Sequence, residues 1–507
     1  MKTYIEYLSE INKDEILKGL LAHGLFADKI PPILSGESFY DYFIKLGKPT
    51  FEKKGKDYIR YESMRNINIP RLLSIPNPFV YANLCNCISC NWVNLQSFFN
   101  KQLTAQTHKV SRIHLRKMKD KESLFEMNYN HSDNDKDPCE DIMIKKRYRV
   151  EADISNCFPS IYSHSIAWAI LGKKLAKEKR DAGEWCNELD LFVRNIKNEE
   201  TNGILIGPHS SNLISEIILL SVDNKLWKHG YRYIRNIDDY TCYVSSYEEA
   251  ETFLLDLSKE LKEYELSLNH KKTKIVSLPI PSDSSWINKL NNFYFGEEYS
   301  KEKKQVLRLK RLRAFLDLAI ELALENNNTA ILNYAIKVIA SKYLGKDALD
   351  YYVKQIHHLL LLFPYLVHLM DEYVFDRFEL NIDLKKQIGA DLYEIGISRR
   401  LYEACSFPIY WSIKYNYKFK EKQILKNAKD SNDCIFLLMT FLRMRIDKNA
   451  DGIKKLKKIA KDLSVAEFDR YWLFVYETLS ESDISGEYKA IKREKISFIK
   501  SDILAKI

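Results

Sequence analysis

The chain has 507 residues, 46% hydrophobic and 12% aromatic, which excludes a disordered protein and gives room for two or three domains. With 78 Lys and Arg against 69 Asp and Glu, the net charge is +9, a moderate basic excess compatible with polyanion binding. Thirteen prolines and 16 glycines are few for this length and favour long helices over an all-β architecture, while nine scattered cysteines form no disulfide framework and point to reduced thiols in a cytoplasmic protein.

Met1 to Glu15 alternates charge and lacks an apolar core, so no signal peptide is expected. Residues 1 to about 60 mix short helical patterns with loops, broken at Pro31-Pro32 and Ser35-Gly36. Ile69-Pro70 and Ile75-Pro76-Asn77-Pro78 favour extended segments before each proline. A helix follows over Tyr81 to Gln102. It carries Cys85, Cys87 and Cys90, which lack a second pair for zinc and read as thiols on a helix. Residues 107 to 149 are basic at both ends: His108, Lys109, Arg112, His114, Arg116, Lys117 and Lys119, then Lys145, Lys146, Arg147 and Arg149. Each cluster suits either a solvated face or a phosphate-binding surface. Between them lies a polar loop, Asn128 to Asp137.

Tyr148 to Ile154 reads as a strand, Ser163 to Lys177 as a helix, and Ser210 to Trp227 as an amphipathic helix introduced by Gly207-Pro208. Tyr231 to Val244 is a strand-turn-strand of β-formers with Asp238 and Asp239 at its tip. Two adjacent carboxylates there suit a tight turn or a divalent-metal site. A helix over Glu248 to Leu266 and a strand over Leu268 to Leu278 complete an α+β unit. Past Lys301 the stripes Leu309, Leu312, Leu316, Ala319, Ala323 and Ala330, Tyr334, Val338, Tyr343 begin a helical domain without a nameable repeat. Its most apolar run, Ile356 to Met370, contains His357, His358, Pro364 and His368, too short and polar to span a bilayer.

Two-metal nucleotidyl transfer needs carboxylates converging from separate strands on ions about 4 Å apart. Asp153, at the end of its strand, with Asp238 and Asp239 has that distribution. Phe158 suits either a ring beneath an incoming sugar, excluding a 2′-hydroxyl, or a core position. Gly203 and Gly207 allow close backbone approach to a ligand. Lys272, after the hairpin, suits a surface charge or a partner for leaving pyrophosphate.

The order Asp-x₄-Phe, Gly-x₃-Gly-Pro-x-x-Ser-Asn, x-Asp-Asp and Leu-Asn-x-x-Lys-Thr resembles the palm of a reverse transcriptase over roughly Arg60 to Leu278. The resemblance implies that Asp153, Asp238 and Asp239 hold Mg²⁺, with Mn²⁺ as an alternative ion. It implies that Phe158 is the sugar gate, that Gly207 to Ser211 touch the templating base or nucleotide, and that Lys272 is the lysine of the following motif. It puts Lys145, Lys146 and Arg147 in the fingers near the triphosphate. Ile69-Pro70-Arg71, Ile75-Pro76-Asn77-Pro78, Asp153 to Tyr162 and the helical C-terminal half are similar to the abortive-infection reverse transcriptases of the AbiK type, most of all to their shorter, prophage-encoded members.

That resemblance implies an α+β fold, with palm and fingers fused to an all-α HEAT-like domain. The implied segments are 1–60, an N-terminal segment; 61–300, fingers and palm; and 301–507, the helical domain. It further implies an anti-phage enzyme and a homo-oligomer. Its product would be untemplated single-stranded DNA, made from deoxynucleoside triphosphates and primed by a tyrosine of the protein. An RNA-templated reverse transcriptase and a retired palm serving as a binding scaffold are the alternatives. Two departures bear on templated copying: Asn236 stands where the family has tyrosine, and Leu205 where many members have proline. No recognisable thumb follows Leu278. Tyr402, Tyr410, Trp411, Tyr415 and Tyr417, near Arg399, Arg400, Lys414 and Lys418, suit either a strand-binding groove or a helical core.

Overall fold

The computed structural model describes residues 3–507 except 67–68, 113, 116–123, 127–136, 182, 282–283, 297, 300–304 and 420–422. Arg116, Lys117 and Lys119, and the polar loop up to residue 136, lie outside the described residues.

The chain starts with helices Tyr4–Ser9, Lys13–Leu21 and Glu37–Lys45, the first two closed by capping boxes at Thr3 and Asn12. A hairpin follows, β1 (Ile59–Ser63) antiparallel to β2 (Arg71–Ile75). The single helix expected over Tyr81 to Gln102 is two, Pro78–Cys90 and Trp92–Leu103, broken at Asn91. Cys85 and Cys87 are buried on the first and Cys90 is exposed, and all nine cysteines are free. Burial pushes the Cys87 thiol up to about 12, so it stays protonated.

A four-stranded antiparallel sheet is the centre of the molecule: β3 (Tyr148–Asp153), β4 (Tyr233–Asn236), β5 (Asp239–Val244) and β6 (Lys274–Ser277), in the order β4-β5-β3-β6. Helices Ser165–Leu171 and Lys173–Glu178 replace the one expected over Ser163 to Lys177, because Gly172 turns the chain at φ +87°. Helices His209–Lys228 and Tyr247–Lys262 pack on the sheet. This is the α+β arrangement expected.

From helix Leu309–Glu325 the chain is helical, apart from one π-helical turn at Met370–Asp376 and short 3₁₀ turns. Its core is continuous with the rest, one buried cluster running from Tyr4 to Ile503. The C-terminus closes on the N-terminal helices: Ser35 N donates to Phe498 O at 2.9 Å and Lys500 N to Ile33 O at 2.8 Å. No helix among the described residues is long and apolar enough to cross a membrane.

The aromatic cluster at 402–417 is core rather than groove. Trp411 is fully buried, Tyr410 and Tyr417 are each 5% exposed, and Tyr415 donates to Asp371 and Asp376. Rings packed so tightly leave no face for a base to stack on.

Candidate metal centre and nucleotide site

Sheet register assembles the site. β3 ends at Asp153, β5 begins at Asp239, and the two are cross-strand partners. Asp238 lies in the turn before β5, where its carbonyl accepts from Ile154 N at 3.1 Å. One oxygen from each of the three carboxylates lies within 4.8 Å of the others. Asp153 is buried, Asp238 half-buried and Asp239 exposed.

The three charges repel. Desolvation, then the Asp153 charge, push Asp238 above the usual carboxylate range, although its own backbone N–H opposes the shift. Desolvation, then Asp238 and Asp153, push Asp239 up to about 7. Lys272 is the cation in direct contact: its Nζ donates to Asp153 Oδ2 at 2.6 Å, and that bond raises its own pKa. Asn269, of the same Leu-Asn-x-x-Lys-Thr stretch, donates from Nδ2 to Asp153 Oδ1 at 2.9 Å. Three convergent carboxylates with one lysine leave uncompensated negative charge, which a divalent cation with oxygen ligands would relieve. The residues therefore fit such an ion.

Beneath the hairpin lies a set of charges that the sequence reading missed. Arg235 of β4 is fully buried, and its guanidinium meets Asp223 Oδ2 at 2.6 Å and Glu216 Oε2 at 3.1 Å, both from helix His209–Lys228. Tyr233 donates to Asp223 Oδ1 at 2.9 Å. Arg235 Nη1 also donates to Ile237 O at 2.8 Å. Ile237 sits at φ +57°, a left-handed conformation that is an outlier for a β-branched residue and costs roughly 1–3 kcal/mol. The arginine thus holds the strained turn that presents Asp238. Segment 110–112 covers the edge, Arg235 N donating to Val110 O at 2.8 Å and Arg112 N to Arg235 O at 2.7 Å. Glu216 and Asp223 stand seven residues apart on one helix face, a polar interruption of an apolar stripe that could have been noticed.

Phe158 lies on the short helix Cys157–Ser160, half-buried against the core, and its carbonyl accepts from Ile204 N at 2.9 Å. Gly203 has φ +81°, and a Cβ there would lie 2.7 Å from Pro159 O. Gly207 has φ +129°, with Ser74 O 2.9 Å from where its Cβ would be, and the neighbouring Ile206 O accepts from Ser74 N at 2.7 Å. Both glycines let this loop press between the Phe158 turn and β2.

Lys145, Lys146 and Arg147 are not brought to the carboxylates. They precede β3, whose other end carries Asp153, roughly 20 Å away for six residues at about 3.3 Å each. Lys146 instead contacts Ser245 Oγ at 3.3 Å and faces Glu249. The basic residues that do act on Asp238, lowering its pKa, are Lys272 and, after it, Arg71 at the start of β2. The sequence marked Ile69-Pro70 as an extended segment and Ile69-Pro70-Arg71 as part of the family resemblance but gave Arg71 no role, since its approach to the hairpin is purely tertiary.

Residues 88–317, a little under half of the chain, match the family model described as reverse transcriptase (RNA-dependent DNA polymerase). This stretch is similar to a reverse-transcriptase domain. It contains the whole four-stranded sheet and all three carboxylates and runs into helix Leu309–Glu325; the β1–β2 hairpin with Arg71 precedes it. Among solved structures, the chain is similar to a C-terminally truncated apo telomerase from Candida tropicalis, at 13% identity and a TM-score of 0.28, covering 49% of this chain and 56% of that one. Another apo telomerase from Candida tropicalis matches at 13% identity and TM-score 0.32, covering 74% of this chain and 72% of that one. A telomerase from Candida albicans, in complex with the TWJ fragment of telomeric RNA, matches at 12% and 0.29, covering 87% and 70%. The chain thus spans little over half of the first of these. No curated protein matches the sequence.

Proposed function

We propose that this protein is a reverse-transcriptase-type DNA polymerase of anti-phage abortive infection. It would act in the cytoplasm as a homo-oligomer and build single-stranded DNA from deoxynucleoside triphosphates without a template, on a tyrosine of its own chain. The observation that carries the polymerase part is the carboxylate triad, with oxygens within 4.8 Å of one another and with Lys272 bonded to Asp153.

In this reading Asp153, Asp238 and Asp239 hold Mg²⁺ or Mn²⁺, which supplies Lewis-acid charge to the phosphate oxygens when bound. A 3′-hydroxyl, or a tyrosine hydroxyl in the first round, attacks the α-phosphate, and pyrophosphate leaves. Lys272 holds a proton at Nζ beside Asp153, where it neutralises charge on the leaving group. Arg71 adds positive charge from the β2 side. Phe158 and the Gly203–Gly207 loop bound the sugar and base. The untemplated, protein-primed part is supported by Asn236 and Leu205, which depart from the templated pattern. It is also supported by the route from β6 through helix Ser285–Asn291 into the helical region. Nine free thiols support a reducing compartment.

The test is incubation of the purified chain with Mg²⁺ and labelled deoxynucleotides, without template or primer, then a denaturing protein gel. Label on a protease-sensitive, slower-migrating band is the expected result, and mass spectrometry of the linked peptide then identifies which of 32 tyrosines primes. The matched family's description, RNA-dependent DNA polymerase, favours a second reading. Under it no label appears until primed RNA is added. Nucleotide binding without any incorporation would instead indicate a binding scaffold.

A further inference from the structure

Packed against helices Pro78–Cys90 and His209–Lys228, helices Ser165–Leu171, Lys173–Glu178 and Trp185–Asn195 enclose a cavity of about 420 Å³ that polymerase chemistry does not use. Its size falls within the range of small-ligand sites. His164 and Asp190 form a dyad in its wall, His164 Nδ1 lying 2.6 Å from Asp190 Oδ2. That contact leaves Nε2 as the imidazole atom for a ligand. Asp190 is 5% exposed, and its Oδ1 has no hydrogen bond among the described residues, with Arg194 Nε at 3.5 Å. A buried carboxylate oxygen that is ion-paired with Arg194 but makes no hydrogen bond can accept one from a ligand hydroxyl or amino group.

The remaining lining divides by chemistry. Tyr162 stands edge-on to His164, ring centroids 4.9 Å apart, and 5.5 Å from Trp168. Lys177 and Arg180 are exposed at the rim, and neither has a carboxylate partner among the described residues. Arg180 Nε donates to Lys177 O at 3.0 Å, which fixes the guanidinium beside the lysine. Asn187 donates to Lys179 O and Asp181 O, both at 2.9 Å, and shapes the loop that carries these cations. Three cations, Lys177, Arg180 and Arg194, thus face one carboxylate, Asp190, across an aromatic wall. An anion with a flat ring and hydrogen-bond donors complements that set.

We propose that this cavity is a second nucleotide-binding site, which takes a nucleoside phosphate with its base beside Tyr162 and Trp168 and its phosphate on Lys177 and Arg180. Occupancy reaches the catalytic side through the backbone. Ser163 N donates to Thr201 O at 2.8 Å, Gly203 N to Ile161 O at 2.8 Å and Ile204 N to Phe158 O at 2.9 Å. The segment that carries Tyr162 at one end therefore carries Phe158 at the other, paired throughout with the loop leading to Gly207.

The proposal stands apart from the polymerase reading, and its test needs no catalysis. Adenosine monophosphate and inorganic phosphate are titrated calorimetrically, without divalent ions, into the full chain and into Asp238→Asn, Arg180→Ala and Lys177→Ala/Arg180→Ala. Thermal unfolding checks that each variant is folded, as expected for substitutions at exposed rim positions. The nucleotide should bind the wild type and Asp238→Asn equally. It should bind the Arg180→Ala variant about tenfold more weakly and the double variant more weakly still. Phosphate alone should bind much more weakly than the nucleotide. Any of four results would overturn the proposal: no binding at millimolar nucleotide, loss of binding in Asp238→Asn, equal affinity for phosphate alone, or Arg180-dependent binding of an oligonucleotide but not of the mononucleotide.

Discussion

Two groups of charges lie on either side of one hairpin, and they are solved in opposite ways. Below the turn, Arg235 meets Glu216 and Asp223 with no exposure to water, and Tyr233 adds a further donor. Above it, Asp153, Asp238 and Asp239 converge with only Lys272 in direct contact among the described residues, and desolvation, then repulsion, push Asp239 up to about 7. A closed set of that kind fixes a shape. An open one stores repulsion until a cation arrives, and it is kept in place by the closed set beneath it.

Breaking the closed set should have the largest effect on stability. Arg235→Met leaves two buried carboxylates unpaired and releases the Ile237 carbonyl. Denaturant unfolding should show a loss of about 3–5 kcal/mol. A loss within the range of an ordinary surface substitution would mean that water reaches the set.

Asp433 is a third case, a buried carboxyl with backbone donors but no cation in contact among the described residues. It caps helix Cys434–Ile446 by accepting from Phe436 N at 2.7 Å, and burial pushes it up to about 6. Its folded pKa lies above its unfolded one, so the folded state retains the proton and the carboxyl loses stabilising power as pH rises from about 4 through 6. Asp433→Asn keeps the cap and removes the titration. The variant should gain on the wild type by up to about 3 kcal/mol between pH 4 and pH 8, read as the difference of two unfolding curves. A constant difference across that range would contradict the assignment.

The smallest effect concerns Glu403, which ties the β1–β2 hairpin to the helical region. It is 1% exposed and accepts from Tyr61 OH at 3.1 Å and Met64 N at 2.6 Å, with His368 Nε2 at 3.4 Å. Glu403→Gln should cost about 1–2 kcal/mol. If this tie positions Arg71, the KM for deoxynucleotides should rise more than kcat falls. A loss of stability with both constants unchanged would make the contact purely structural.

The carboxylates were legible because two-metal chemistry demands residues from separate strands, and Asp153, Asp238 and Asp239 carry strand and turn signals around them. Arg235 was hidden, since its partners lie on a helix whose apolar stripe dominated the pattern. Lys145 to Arg147 were placed near the triphosphate by the family resemblance, while charge alone left a solvated face equally open, and they stand at the end of β3 opposite Asp153. Arg71 was quoted within a family motif but given no role, because the prolines around it speak only of local backbone. The tyrosines and tryptophan of 402–417 read equally as groove or core, and burial decides for core.

The central claim is that the open set does the chemistry while the closed one holds it. The most direct measurement is incorporation of labelled deoxynucleotides with Mg²⁺ by the wild type and by Asp238→Ala, each with and without primed RNA. The account predicts incorporation by the wild type in at least one condition. It predicts background for the variant in both, with an unfolding midpoint no lower than wild type because one repelling charge has gone. Incorporation by the Asp238→Ala protein at a level near the wild type would contradict it.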